Sequence, residues 1–286
     1  MSLQAAPHTR GSLRLRGRAL VWGLRTYIMG IVNVTPDSFS GDGIEEPDLA
    51  VAYAQTQLED GSDILDIGAE STRPGHQPVS EQTEIARLAP VIANIRGHSP
   101  SAILSVDTYK PAVLQAAYGV GADMLNSIWG LPAELLAAAL EHGMPVVVMH
   151  NKTEPHYDGD VMDEVLPYLE DAAARAVRAG MPAEHVILDP GIGFGKSADH
   201  NLRVLQQLPR LVELGFPTLI GASRKSTIGK ITGRDPADRV YGTAATTALA
   251  IAAGIDIVRV HDVSQTRDVV SVADAIIRNW RPAGWT

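Results

Sequence analysis

Along this chain, short apolar runs rich in β-branched residues alternate with longer stretches whose apolar positions recur at helical spacing. The runs are YIMGIVNV (27–34), DILDIG (63–68), AILSV (102–106), DMLNSI (123–128), PVVVMH (145–150), HVILD (185–189), PTLIGAS (217–223) and DIVRVH (256–261). The helical stretches fall at 48–61, 80–96, 110–121, 132–143, 165–180, 199–215, 239–254 and 264–280. Most of them close at or beside a glycine, a common helix stop. Eight strand–helix units in strict alternation, with strands apolar almost throughout, predict a single-domain (β/α)8 TIM barrel over residues 27–286. Residues 1–26 are read as a short N-terminal extension. A doubly wound open sheet is the alternative, although it would have no reason to stop at eight units.

Composition narrows the function classes. The 286 residues are 45% hydrophobic, enough for one sizeable core, and 20% charged, near the globular average. A net charge of −9 argues against a general nucleic-acid surface but leaves room for a local basic pocket. With no cysteine, disulfides, thiolate catalysis and Cys-ligated zinc are excluded, and a reducing compartment fits. No apolar stretch approaches the roughly 20 residues that cross a bilayer. The first residues contain arginines but no clean apolar segment before a cleavage site. The expectation is a cytoplasmic protein without membrane or nucleic-acid partners. Two connections, 35–47 and 69–80, are long and rich in Gly, Pro and polar residues, as active-face lids often are.

Barrel enzymes carry their chemistry at the C-terminal ends of the strands. The runs deliver there Asn33; Glu70, Ser71, Thr72 and Arg73; Asp107; Asn126; His150; Asp189; Ser223, Arg224 and Lys225; and Arg259 with His261. Polar residues begin wherever strands stop, but Asn126 and Arg259 sit inside apolar runs, where an unpartnered polar group is costly. Asp107, Asn126 and Asp189, with Lys225 nearby, suit a flat heterocycle with an amidine-like edge, because a carboxylate accepts two parallel N–H bonds. Arg73, Arg259 and His261 suit phosphate or another anion. Asn33 and the acids of the first loop could place a hydrated Mg²⁺ against phosphate oxygens. The expected ligand is therefore bipartite, a hydrogen-bonding ring system with a charged tail.

The stretch DPGIGFGKS (189–197) ends like a nucleotide-binding P-loop, but Pro190 occupies the place of the required glycine. Its glycines instead allow a sharp turn that brings Asp189, Phe194 and Lys196 to the mouth. Phe194 is either a packing surface for an aromatic substrate or a residue folded back on the rim. SRKS (223–226) opens the next helix, where Ser223 and the following amides could hold a carboxylate. The remaining histidines show no metal-ligand spacing, His150 has no evident partner, and no Gly-x-Ser-x-Gly hydrolase signature is present.

MGIVNVTPDSFSGDG (29–43), DIGAESTRPG (66–75), SVDTYKPAV (105–113), LDPGIGFGKSADHN (188–201), GASRKSTIG (221–229) and RVHDV (259–263) together resemble dihydropteroate synthases, over about residues 27 to 280. The resemblance implies a (β/α)8 fold and a magnesium-requiring, homodimeric transferase of folate biosynthesis, a sulfonamide target. The family condenses 6-hydroxymethyl-7,8-dihydropterin diphosphate with 4-aminobenzoate, by SN1-like bond breaking. Carried over by motif, Asp107, Asn126, Asp189 and Lys225 would bind the pterin. Asn33, Arg73, Arg259 and His261 would hold the diphosphate, with Asn33 near the metal. Thr72, Pro74, Phe194 and Ser223 would shape the aminobenzoate site. Catalysis would rest on Arg73, Asp107, Asp189, Lys225, Arg259 and His261.

The chain departs from the family's pattern at Ser127, commonly Asp; at MHN (149–151), which lacks a following glycine; and at FSGDG, which shifts the acid Asp42 by one place. A pterin-binding methyltransferase that handles methyltetrahydrofolate would share the pterin acids but would not need STRPG with SRKS. A non-catalytic pterin carrier would be expected to lose Arg73 or His261, and both are present.

Overall fold

The computed structural model describes residues 10–35, 43–44, 46–70, 78–282 and 284–285. All eight apolar runs become parallel strands: β3 (Tyr27–Asn33), β4 (Ile64–Gly68), β5 (Ile103–Asp107), β6 (Met124–Ser127), β7 (Val146–Met149), β8 (Val186–Asp189), β9 (Leu219–Ile220) and β10 (Ile257–Val260). Their hydrogen-bonded order is β8-β7-β6-β5-β4-β3-β10-β9. The ring closes where Leu188 pairs with Thr218 and donates its N–H to Pro217 at 2.9 Å. The result is the (β/α)8 barrel that the alternation predicted. β9 is shorter than its apolar run; just before it, Thr218 gives its N–H to Asp256 Oδ2 at 2.9 Å and not to the ladder.

Among the described residues ten α-helices surround the strands: α1 (Pro47–Glu59), α2 (Glu81–His98), α3 (Pro111–Gly119), α4 (Ala133–Glu141), α5 (Met162–Arg178), α6 (Ala198–Gln206), α7 (Leu208–Val212), α8 (Ser226–Thr232), α9 (Val240–Ala252) and α10 (Val263–Ile277). The stretch 199–215, expected as one helix, is two. Pro209 cannot donate to the preceding turn and instead begins α7. α5 starts earlier than its periodicity indicated and carries Pro167 in its interior. The short α8 precedes the helix expected after SRKS.

Within the N-terminal stretch, β1 (Ser12–Leu15) and β2 (Arg18–Val21) form an antiparallel hairpin. Its two-residue turn, Arg16 and Gly17, has positive φ at both positions, the geometry that matches strand twist. The hairpin stoppers the N-terminal end of the barrel. Leu13, Leu20 and Trp22 join Tyr27, Met29, Ile64, Ile103 and Met124 in one buried lumenal cluster. Trp22 is fully buried, donates from Nε1 to Glu184 O at 2.9 Å and meets the Tyr27 ring edge-on.

Three aspartates fasten this stopper. Asp63, Asp123 and Asp256 stand immediately before β4, β6 and β10, each following a Gly-x. Each accepts a backbone N–H from the neighbouring strand or its approach: Ile28 at 3.0 Å, Leu104 at 2.9 Å and Thr218 at 2.9 Å. Each also pairs with an arginine of the N-terminal stretch, Arg25, Arg16 and Arg10 respectively, at 2.6 Å. A carboxylate shared between a strand end and a guanidinium satisfies two buried needs at once. Trp22→Ala is therefore expected to cost about 3–5 kcal/mol, measured as a lower urea midpoint with no loss of barrel circular dichroism in native buffer.

Candidate active site

Side chains alternate along a strand, so two residues beyond each lumenal apolar residue the same face is presented again, one layer higher. Ile64 leads to Asp66, Ile103 to Ser105 and then Asp107, Met124 to Asn126, Ile187 to Asp189, and Ile257 to Arg259. The lower layer is apolar and the upper layer is polar. Inward-facing Gly68 leaves room there, since a Cβ would come within 3.3 Å of the Asp107 Cβ.

Arg259 lies at the centre. Its Nε donates to Asp66 Oδ2 at 2.6 Å and its Nη2 to Asp107 Oδ2 at 3.0 Å. Asn126 Nδ2 donates to the same Asp66 oxygen at 2.8 Å. Arg259, expected among the phosphate-binding cations, thus pairs with Asp66 and with Asp107, which was expected to bind the ring. Burial works against the Arg259 proton, but Asp66 and Asp107 raise its proton affinity overall. Burial raises Asp107 to about 7, with Asp66 adding repulsion and Arg259 opposing. Burial raises Asp189 to about 6, against the Gly191 N–H that its Oδ1 accepts at 2.7 Å. Burial and Arg259 lower Lys225 to about 8. Asp107, Asp189 and Lys225 are thus all displaced towards neutrality, and such displaced groups cluster at functional sites.

Asp66 was not among the expected site residues. It sits mid-strand in an apolar run, where a carboxylate of zero exposure needs a partner. That run, ILDIG, held the signal. Its Oδ1 and the Oγ of its cross-strand neighbour Ser105 are buried without hydrogen bonds among the described residues.

The glycine-rich loop after β8 wraps the chamber. Gly191 has φ +71, and a Cβ there would lie 2.0 Å from His150 O, so only glycine allows this approach. Lys196 Nζ reaches His150 Nδ1 at 3.0 Å and Phe194 O at 3.2 Å. This gives His150 the partner that sequence did not reveal, and it anchors the loop from behind. Burial lowers Lys196 to about 7 and His150 to about 4. The Phe194 ring lies 4.0 Å from Lys225 Nζ, a cation–π contact on the inner face of the loop.

On the other side, Ser223 Oγ accepts from the His261 N–H at 3.2 Å and meets His261 Nδ1 at 3.0 Å. Lys225, not Ser223, caps α8. Arg224 turns to Asp262, with Nε–Oδ2 at 3.0 Å. Asn33 ends β3, and its carbonyl accepts from Ile44 N at 2.9 Å. Thr72, Arg73, Pro74 and Asp42 lie outside the described residues. The flanks of the STRPG stretch are tied by Lys110, which bonds Glu70, Glu84 Oε2 at 2.6 Å and Val79 O at 2.8 Å. Ser127 follows inward-facing Asn126 and, by alternation, faces the helices, so this departure leaves the lumenal face unchanged.

Among the described residues no helix is long and apolar enough to cross a membrane. The raised Asp189 value has a stability consequence. An acid that binds its proton more tightly when folded loses stability as pH rises from its ordinary range to its folded value. Asp189→Asn is therefore expected to be more stable than the parent above about pH 7, by on the order of 2 kcal/mol. The gain should vanish towards pH 4, measured as the difference in Tm between the two proteins across pH 4–8.

The comparisons with known proteins agree with this geometry. The model of the pterin binding enzyme family matches residues 29–261. Dihydropteroate synthase from Synechocystis sp. is 45% identical over 271 residues, covering 91% of this chain and 92% of that protein. The solved dihydropteroate synthase from Xanthomonas albilineans with 4-aminobenzoic acid is 42% identical, with a TM-score of 0.86, over 95% of this chain and 99% of that one. The Yersinia pestis dihydropteroate synthase in a sulfonamide drug complex is 38% identical, with a TM-score of 0.88, over 94% of this chain and all of that one (100%). A polar chamber at the mouth of a (β/α)8 barrel, with likeness of this extent, places the chain in the pterin-binding enzyme family, among the dihydropteroate synthases.

Proposed function

We propose that this protein joins the activated methylene of 6-hydroxymethyl-7,8-dihydropterin diphosphate to the amine of 4-aminobenzoate, forming 7,8-dihydropteroate and pyrophosphate. The observation that carries the reading is the gathering of Asp107, Asn126, Asp189 and Lys225 around Arg259 above a buried apolar floor. Acceptors on one side and a cationic donor on the other match a pterin, which offers an amidine-like edge and a carbonyl.

The chemistry follows from charge. The bond from the methylene carbon to the diphosphate oxygen breaks with its electron pair leaving on pyrophosphate. The positive charge spreads into the ring, where Asp107 and Asp189 favour it. From the resemblance to the family, Arg73 and His261 would stabilise the departing anion, while Thr72, Pro74, Phe194 and Ser223 would shape the aminobenzoate site. The aniline nitrogen then attacks the methylene and releases a proton, so no covalent enzyme intermediate is required. A sulfonamide that copies the aminobenzoate ring would compete at the same place.

Mg²⁺ fits this site in one way. Among the described residues no group of three His, Asp or Glu could hold a metal. Mg²⁺ commonly takes one or two protein oxygens and completes its shell with water and substrate phosphates. The Asn33 amide at the end of β3 would be such a ligand. The ion would neutralise charge on the diphosphate.

A homodimer is part of the same proposal. α9 and α10 leave Leu249, Val272 and Ile276 exposed at 70%, 61% and 73%, an apolar face of the kind that subunit contacts cover. The lack of cysteine suits a cytoplasmic setting.

Purified protein given the pterin diphosphate, Mg²⁺ and 4-aminobenzoate should release pyrophosphate only when all are present, with dihydropteroate as product. Pterin binding without turnover would point instead to a carrier or a methyltransferase. Lys225→Met should lower kcat/KM by about a hundredfold or more, with Tm little changed. Leu249→Glu should convert dimer to monomer in sedimentation velocity, and an unchanged species would remove this face as the contact.

A further inference from the structure

We propose that Asp66 is a positioning residue that sets the orientation of both Asn126 and Arg259 towards the bound ring. The inference rests on the pterin-binding reading of the chamber. One oxygen, Asp66 Oδ2, accepts from Arg259 Nε at 2.6 Å and from Asn126 Nδ2 at 2.8 Å. The carboxylate has zero exposure, so these bonds are made away from water and their geometry is stiff.

Two consequences follow. An Asn side chain can flip, presenting either its amino group or its oxygen to a ligand. Here one amino N–H is held by Asp66, which fixes the flip of the amide, so its oxygen lies on the side away from Asp66 and is the atom offered to the chamber. The site then reads a ring N–H at Asn126, in keeping with the acceptors of Asp107 and Asp189. Arg259 is fixed likewise. Its Nε is spent on Asp66 and its Nη2 on Asp107, so the guanidinium plane cannot swing out to the mouth without breaking two charge-assisted bonds. Asp66 touches no substrate in this account and acts through its two partners.

Replacement separates the acceptor from the volume. Asp66→Leu keeps the size and removes the acceptor. Asp66→Asn keeps an oxygen where Oδ2 lies. Binding of 6-hydroxymethyl-7,8-dihydropterin, without diphosphate, is measured by calorimetry for the parent, both variants, Asn126→Ala and the Asp66→Leu/Asn126→Ala double variant. The parent must bind first, and failure there would refute the pterin reading itself. With parent binding established, Asp66→Leu should weaken affinity about thirtyfold, and Asp66→Asn less than fivefold. In the double variant the two losses should combine to less than their product, because Asp66 works partly through Asn126. Asp66→Leu binding within threefold of the parent, or losses that multiply fully, would overturn the proposal. If Asp66→Leu does not yield folded protein, Asp66→Ser, which also lacks the reach to both donors, takes its place in the same cycle with the same criteria.

Discussion

A strand in a closed barrel shows successive side chains to the lumen and to the helices in turn, and the rest of this structure depends on that parity. It puts Ile64, Ile103, Met124, Ile187 and Ile257 in one layer and polar groups from the same strands in the next. A shift of one residue in any strand would exchange lumenal and helix-facing sets. Isoleucine would then meet substrate, and an aspartate would face the apolar packing of a helix. Floor and chamber are thus two readings of one register.

That layering makes the electrostatics possible. Three carboxylates and two cations crowd a space with little water, and burial alone would neutralise several of them. Arg259 pairs with both Asp66 and Asp107 and opposes the effect of burial on Asp107. What remains is a chamber in which burial raises Asp107 to about 7 and Asp189 to about 6. The glycine-rich loop adds Phe194 against Lys225, and the loop is itself held by Lys196 on His150.

Much of this was legible in the residues. The eight runs, the helices between them and the polar strand ends carry their periodicities in plain view, and Asp107, Asn126, Asp189, Lys225 and Arg259 meet in one chamber as expected. Asp66 was not legible as a site residue. It interrupts an apolar run once, and its partners come from β6 and β10, 60 and 193 residues away. The hairpin was hidden for a related reason. Its strands are four residues each and rich in arginine, so they read as a polar extension until Asp63, Asp123 and Asp256 are seen waiting at the strand starts. The thrice-repeated Gly-x-Asp before β4, β6 and β10 was visible, but its purpose is defined only by contacts distant in sequence.

The arginine-fastened hairpin also bears on how the chain comes together in time. Arg10 reaches Asp256 across 246 residues, and Thr26 reaches Asp274 across 248. The hairpin therefore waits for segments made some 246 to 248 residues later before it can dock. Closing so long a loop is slow relative to local helix formation. Until β10 is made, Trp22 and its neighbours have no complete seat, and an emerging chain shows that apolar surface to whatever meets it. The stopper of the finished barrel is, during synthesis, an unfilled obligation held by residues 10–26 until the last strand arrives.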